Sequence, residues 1–164
     1  MMGFWFKMLC MNEPISISIP RSALWLGLAG LIPFWLMSAM AGLSMDSYRA
    51  TFGLNGALAY AAVILSFLGG IRWGAGMSEQ SKLQQARSFS LAVIPSLAAW
   101  SALLIPAIPA VSLLIASLLM QALWDVLSTQ DGILPAWFAK LRMILTSLAI
   151  IPLLLLLGRL LLLG

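Results

Sequence analysis

SFSLAVIPSLAAWSALLIPAIPAVSLLIASLLMQALWDVL (Ser88 to Leu127) runs for forty residues with a single charged side chain, Asp125, close to its end. A transmembrane helix needs about 20 predominantly apolar residues, so this stretch is long enough for two. The IPAIP from Ile105 to Pro109 divides it, because each proline lacks a backbone donor and disfavours helix at the residue before it. The stretch reads as a tight hairpin of two spans, about 88–105 and 109–127.

Working outward from the hairpin, three further apolar segments are each long enough to cross a bilayer. They cover about 22–42, with Gly27, Gly30 and Pro33 inside it, 54–77, and 142–162 through Pro152. Period-two alternation is absent, which argues against a β-barrel. The expectation is an all-α membrane protein, a bundle of five transmembrane helices over residues 22–164 preceded by a polar tail over 1–21.

Composition supports this class. Only 9% of the 164 residues are charged and 62% are apolar, with a mean hydropathy of +1.04, whereas soluble domains carry about 25% charged residues. The net charge of +4 comes from nine cations scattered between apolar runs, which form no basic face, so nucleic acid is not an expected partner. The cations act as topology signals. Lys7, Arg21, Lys82, Arg87, Lys140 and Arg142 fall on one side of a five-span threading, Arg49 and Arg159 on the other. The positive-inside rule then puts the N-terminus inside and the C-terminus outside.

Cys10 is the only cysteine and histidine is absent. An internal disulfide is ruled out, and neither a zinc nor a haem site of the usual ligand types is expected. No metal or other cofactor is anticipated. At the N-terminus, MMGFWFKMLC is apolar but too short to span, and lacks the small-residue cleavage site of a signal peptide. Residues 1–10 either precede the true start at Met11 or form an interfacial segment. Before the last span, DGILPAWFAKLR (Asp131 to Arg142) has the composition of an interfacial anchor, with Pro135 able to open a helix and Trp137 and Phe138 suited to the headgroup region.

Four ordered motifs resemble a known family: LGLAGLIPF in the first span, YAAVILSFLGGIRWG in the second, IPSLAAW in the third and LPAWFAKLRMILT before the fifth. Together, over roughly Ala23 to Leu148, the chain resembles the domain of unknown function 3429 family of small membrane proteins (transmembrane protein 69-like). The resemblance implies a multi-pass protein of a bacterial inner membrane and supplies no activity. At Arg72 the chain departs from the histidine often found in the family, which argues against a requirement for an imidazole there.

Two constellations stand out in the spans. Ala62, Ser66, Gly70 and Gly74 recur every four residues and form a small-residue ridge of the kind that lets helix backbones approach closely in lipid. They are expected to pack within the bundle, or against a second copy. Arg72 lies about 200° around the helix from Gly70, on a face with Leu65, Gly69 and Gly76, and Trp73 beside it suits the inner boundary of the span. Arg72 either snorkels to the headgroups or pairs with Asp125 of the fourth span, where Ser117, Gln121 and Asp125 make a polar stripe. Arg72, Trp73, Gln121, Asp125 and Arg142 are therefore the candidate buried polar cluster. Pro95 in the third span and the leucine-rich fifth span are read as a packed kink and a lipid-facing helix, with Arg159 snorkelling outward.

No catalytic signature is present, so an enzyme is not expected. The leading function is a structural or accessory partner of a larger membrane complex, with the lipid bilayer and a membrane-protein partner or second copy as its contacts. The alternative is a small transporter or ion-permeation protein with a polar site at the cytoplasmic mouth of the bundle.

Overall fold

A computed structural model describes residues 18–79, 81–130 and 132–163; the expectations about residues 1–17 lie outside it. Among the described residues all regular structure is helical. The helices are α1 (Arg21–Ala29), α2 (Leu31–Leu43), α3 (Ser47–Gly76), α4 (Lys82–Ala102), α5 (Ala107–Gln130) and α6 (Ala136–Leu163).

The first predicted span is two helices, not one. Pro33 has no N–H, and its ring opposes the carbonyl four residues back, which belongs to Ala29, the last residue of α1. The chain breaks at Gly30, and the Tyr60 hydroxyl of α3 donates to the Gly30 carbonyl at 2.7 Å. Pro95 and Pro152 sit inside continuous helices, both buried. The second predicted span starts earlier than 54: Asp46 caps α3 by accepting from the Tyr48 N–H at 3.0 Å. The segment before the fifth span is not a separate anchor, since α6 runs unbroken from Ala136 for 28 residues.

Four segments are long and apolar enough to cross a membrane: Arg21–Leu43, Ser47–Gly76, Ala107–Gln130 and Ala136–Leu162. At 1.5 Å per residue they span roughly 35 to 45 Å, against a hydrocarbon core of about 30 Å. Helix α4 has the length, but Lys82, Gln84, Gln85 and Arg87 make its first turns polar. The outer surface displays Leu26, Phe67, Leu119, Leu155 and many other large apolar side chains, a cover suited to lipid and not to water. The chain is a membrane-embedded, multi-pass protein.

Contacts fix which helix ends share a level. The end of α3 meets the start of α4 through Trp73 stacked on Phe89 at 4.5 Å. The ends of α3 and α5 meet at Arg72 and Ser128, and the start of α6 joins them through Arg142 and Asp125. At the other end, Arg159 of α6 reaches the end of α2. Since α4 starts beside the end of α3 and α5 finishes there, α4 must carry the chain from one end of the bundle to the other.

Close helix contacts rest on small residues. Ala57, Ala61, Ala99, Ala102 and Ala110 are fully buried around Phe34, Leu65, Leu114, Leu118 and Leu153. This is how helices associate in lipid, where packing and not water exclusion drives contact. Two glycines show it most sharply. A side chain at Gly53 would collide with the α2 backbone at Ala41, and one at Gly69 with the carbonyl of Ala92 in α4.

The expected ridge does not serve this purpose. Ala62 is buried, but Ser66 and Gly70 are exposed and Gly74 is half-buried, and a side chain at Gly70 or Gly74 would meet nothing within 4 Å. The packed row lies one residue earlier: Gly53, Ala57, Ala61, Leu65 and Gly69. The fifth predicted span also differs from expectation, because Leu153 and Leu156 of α6 are buried in the core. Arg159 does not reach outward: it donates to the carbonyls of Ala41 at 2.9 Å and Ser44 at 3.1 Å.

Candidate functional site: a closed ionic cluster at one end of the bundle

Helix α5 supplies the axis of the site. Gln121, Asp125 and Ser128 stand at i, i+4 and i+7, one face of a helix, and all three are buried. The end of that helix is set by Gly132, whose φ of 74° suits a residue without Cβ. The Ile133 N–H then returns to the Ser128 carbonyl at 3.0 Å.

Asp125 is 1% exposed and both its oxygens are engaged. Oδ2 accepts from Arg142 Nε of α6 at 2.8 Å, and Oδ1 accepts from Gln121 Nε2 at 3.1 Å. Arg72 Nε of α3 stands 3.7 Å from Oδ1, an ion pair beyond hydrogen-bond range. Arg72 spends its hydrogen bonds elsewhere. Its Nη2 donates to the Trp124 carbonyl at 2.8 Å and to Ser128 Oγ at 2.5 Å. The guanidinium also lies 3.6 Å from the centre of the Trp124 ring, within range of a cation–π contact.

Arg72 therefore does two things at once. It balances part of the Asp125 charge, and it holds the carbonyl-rich end of α5, where the helix dipole favours a cation. Charged side chains at membrane depth are costly and normally pair with one another or with backbone carbonyls. Arg72 does both and Arg142 pairs with the carboxylate, drawing α3, α5 and α6 together around Asp125.

The structure thus brings together Arg72, Gln121, Asp125 and Arg142. Trp73 is not part of the group: it is 44% exposed and stacks on Phe89 instead. Ser128 and Trp124 also belong to the group, beyond the residues that the sequence pattern points to. Ser128 continues the Gln121–Asp125 face by three residues, a signal that was available. Trp124 enters through its backbone carbonyl and ring face, which no residue pattern announces. Glu79 lies beyond Arg72, lining a void of about 20 Å³ with it and accepting from Ser88 Oγ at 2.6 Å.

On the other side of Arg142 an apolar cavity of about 370 Å³ opens between α1, α3 and α6. Among the described residues no group of three or more His, Cys, Asp or Glu is placed to hold a metal ion.

Residues 19–158 match the model of a family described as "Protein of unknown function (DUF3429)". The chain is also similar to Transmembrane protein 69 of Xenopus tropicalis, 37% identical over 137 residues, which are 82% of this chain and 53% of the relative. Transmembrane protein 69 of Mus musculus is 36% identical over 86 residues, 52% of this chain and 34% of the relative. The chain thus spans about half the length, or less, of the curated relatives it matches. No solved structure gives a significant match.

Proposed function

Taking as premise that the chain belongs to the DUF3429 family, whose description assigns no function, we propose that it is a non-enzymatic structural or accessory subunit of a larger membrane assembly. The observation that carries this reading is the closure of the ionic cluster. Its one carboxylate is sealed from solvent, and both oxygens are held by side chains of the protein. A small transporter or ion-permeation protein calls for a polar site reachable from water. Here the Asp125 carboxylate and the Arg72 guanidinium are spent on fixing helices to one another, as in a scaffold.

Within this reading the chain crosses the membrane five times, with α4 as the fifth span. It has 21 residues, roughly 32 Å of rise, and its polar first turns lie at the same end as the ionic cluster. Arg21, Lys82, Arg87 and Lys140 open α1, α4 and α6 at that end, and the positive-inside rule assigns it to the cytoplasm or matrix. The N-terminus is then inside and the C-terminus outside, in an orientation suited to a bacterial inner membrane.

The test is purification of the full chain from its native membrane in mild detergent, with the mass and stoichiometry of the particle measured. A defined complex with a partner in fixed ratio is the expected result. A lone chain that keeps its fold and stays monomeric in lipid nanodiscs would overturn the proposal.

A further inference from the structure

The cavity beside Arg142 has a composition that selects an occupant. It follows α6 from Trp137 to Ala149, thirteen residues with roughly 18 Å of helix rise between the first and the last, and its walls are almost wholly apolar. Two polar side chains line it, Arg142 and Thr146, one turn apart on α6. Each is only 5% exposed. Arg142 Nη2 and Thr146 Oγ1 are both buried, and neither has a hydrogen-bond partner among the described residues.

Unmet donors at membrane depth carry a penalty of several kcal/mol, so this pair calls for acceptor oxygens. The charges say which kind. Arg142 shares Asp125 with Arg72, which leaves one positive charge over among the three. Glu79 does not supply the balance on this side: it lies with Arg72 and Ser88 at the separate small void. Guanidinium groups favour phosphate and carboxylate oxygens, with which they form short, charge-assisted bonds.

Position narrows the occupant further. Arg142 is six residues, roughly 9 Å, into α6 from the basic end of the bundle and Thr146 is one turn deeper, while Trp137 and Phe138 line the cavity nearer that end, where aromatic side chains meet headgroups. Basic pockets between membrane helices on the cytoplasmic or matrix side are sites for anionic lipid headgroups. We propose that the cavity between α1, α3 and α6 binds an anionic phospholipid, with its phosphate oxygens accepting from Arg142 and Thr146 and an acyl chain against the apolar side chains of α1, α2 and α3 that line it. The bound lipid completes the ionic cluster from the bilayer side. This inference rests on the orientation proposed above, with the basic end on the cytoplasmic or matrix side, but not on the assembly reading, since it concerns a lipid and not a protein partner.

The experiment uses the purified full chain in mild detergent. Native mass spectrometry follows retention of phosphatidylglycerol and of phosphatidylcholine with identical acyl chains, and of oleate. Phosphatidylglycerol should be held at least tenfold more tightly than phosphatidylcholine. Thr146→Val removes one donor without touching the Asp125 cluster and should weaken phosphatidylglycerol binding several-fold. Ala23→Phe, at the half-buried rim, should block it. Equal retention of the two phospholipids overturns the proposal, as does phosphatidylglycerol binding unaltered by both variants. Retention of oleate without phosphatidylglycerol also overturns it, in favour of a free fatty acid. If Ala23→Phe fails to fold, the lipid comparison and Thr146→Val still decide the matter.

Discussion

The two ends of the bundle use the same residue types to different effect. At one end Asp125 is enclosed by Arg142, Gln121 and Arg72 inside the helices. At the other, Asp46 and Arg49 approach to 3.7 Å in the open, with side chains 55% and 72% exposed. Arg159, also at that end, has no carboxylate partner among the described residues and satisfies the carbonyls of Ala41 and Ser44. What differs is access to water. A charge that cannot reach water must be answered by a fixed partner, whereas an exposed charge is answered by solvent, and its partner matters little.

The sharpest way to break this contrast is Asp125→Ala. Removing the carboxylate leaves two largely buried guanidiniums without their counter-charge, and truncating one member of a buried pair costs about 3–5 kcal/mol. Unfolding in detergent, followed by heat or denaturant, should show a loss of that size. The combined variant Arg72→Met, Asp125→Leu, Arg142→Met should recover much of it, because replacing a whole buried ionic group by apolar residues of similar volume is often neutral or better. If Asp125→Ala melts with the wild type, the enclosed cluster is not what holds α3, α5 and α6 together.

Arg159→Met probes the other end and should cost less. It removes hydrogen bonds to the carbonyls of Ala41 in α2 and of Ser44, its C-cap, but those groups lie near a helix terminus, where water can replace a lost donor. Polar contacts between membrane helices average about 0.6 kcal/mol and reach about 1.7. The same unfolding measurement should place Arg159→Met within that range. A loss as large as that of Asp125→Ala would erase the distinction between the two ends.

The sequence is most legible where a residue has few options. The apolar runs and the IPAIP break mark the helices of the 88–127 hairpin, and the lone acid with two arginines at matching depth marks the ionic group. Legibility fails where the alternatives are chemically alike. On α3 the row Gly53, Ala57, Ala61, Leu65, Gly69 packs inward, while Ala62, Ser66, Gly70 and Gly74 lie one residue, about 100°, further round. Both rows are four-spaced and, Leu65 apart, small. A helix apolar all round carries no polar face to say which side is outside, so periodicity gives the row but not its phase. Arg72 itself points to the answer: a charge in lipid turns toward the bundle interior, and Leu65, Gly69 and Gly76 share its face.

Similar reasoning accounts for Gly30 and Arg159. Pro33 announces a disturbance in the first span, but placing the break three residues earlier depends on where its ring meets the preceding turn and on the Tyr60 hydroxyl that reaches the Gly30 carbonyl. Arg159 sits in LLLLLGRLLLLG, where every neighbour suggests lipid. Its actual partners are backbone carbonyls more than a hundred residues away, and backbone acceptors leave no mark in side-chain patterns.

The smallest effects belong to the exposed pair, and they separate two roles of one carboxylate. Asp46 caps α3 through the Tyr48 N–H and also faces Arg49. Losing a capping side chain costs about 1 kcal/mol, whereas an exposed ion pair at i, i+3 contributes about 0.5 or less. Asp46→Ala should therefore destabilise measurably, Asp46→Asn should retain most of the cap, and Arg49→Ala should fall within about 0.5 kcal/mol of the wild type. Added salt should shrink the small Arg49→Ala difference, because it screens an exposed pair, and leave most of the Asp46→Ala loss in place, since the capping bond does not depend on the arginine. An Arg49→Ala loss equal to that of Asp46→Ala, removed by salt, would mean that the pair and not the cap holds the start of α3. The solvent-exposed end would then depend on charge pairing as the enclosed end does.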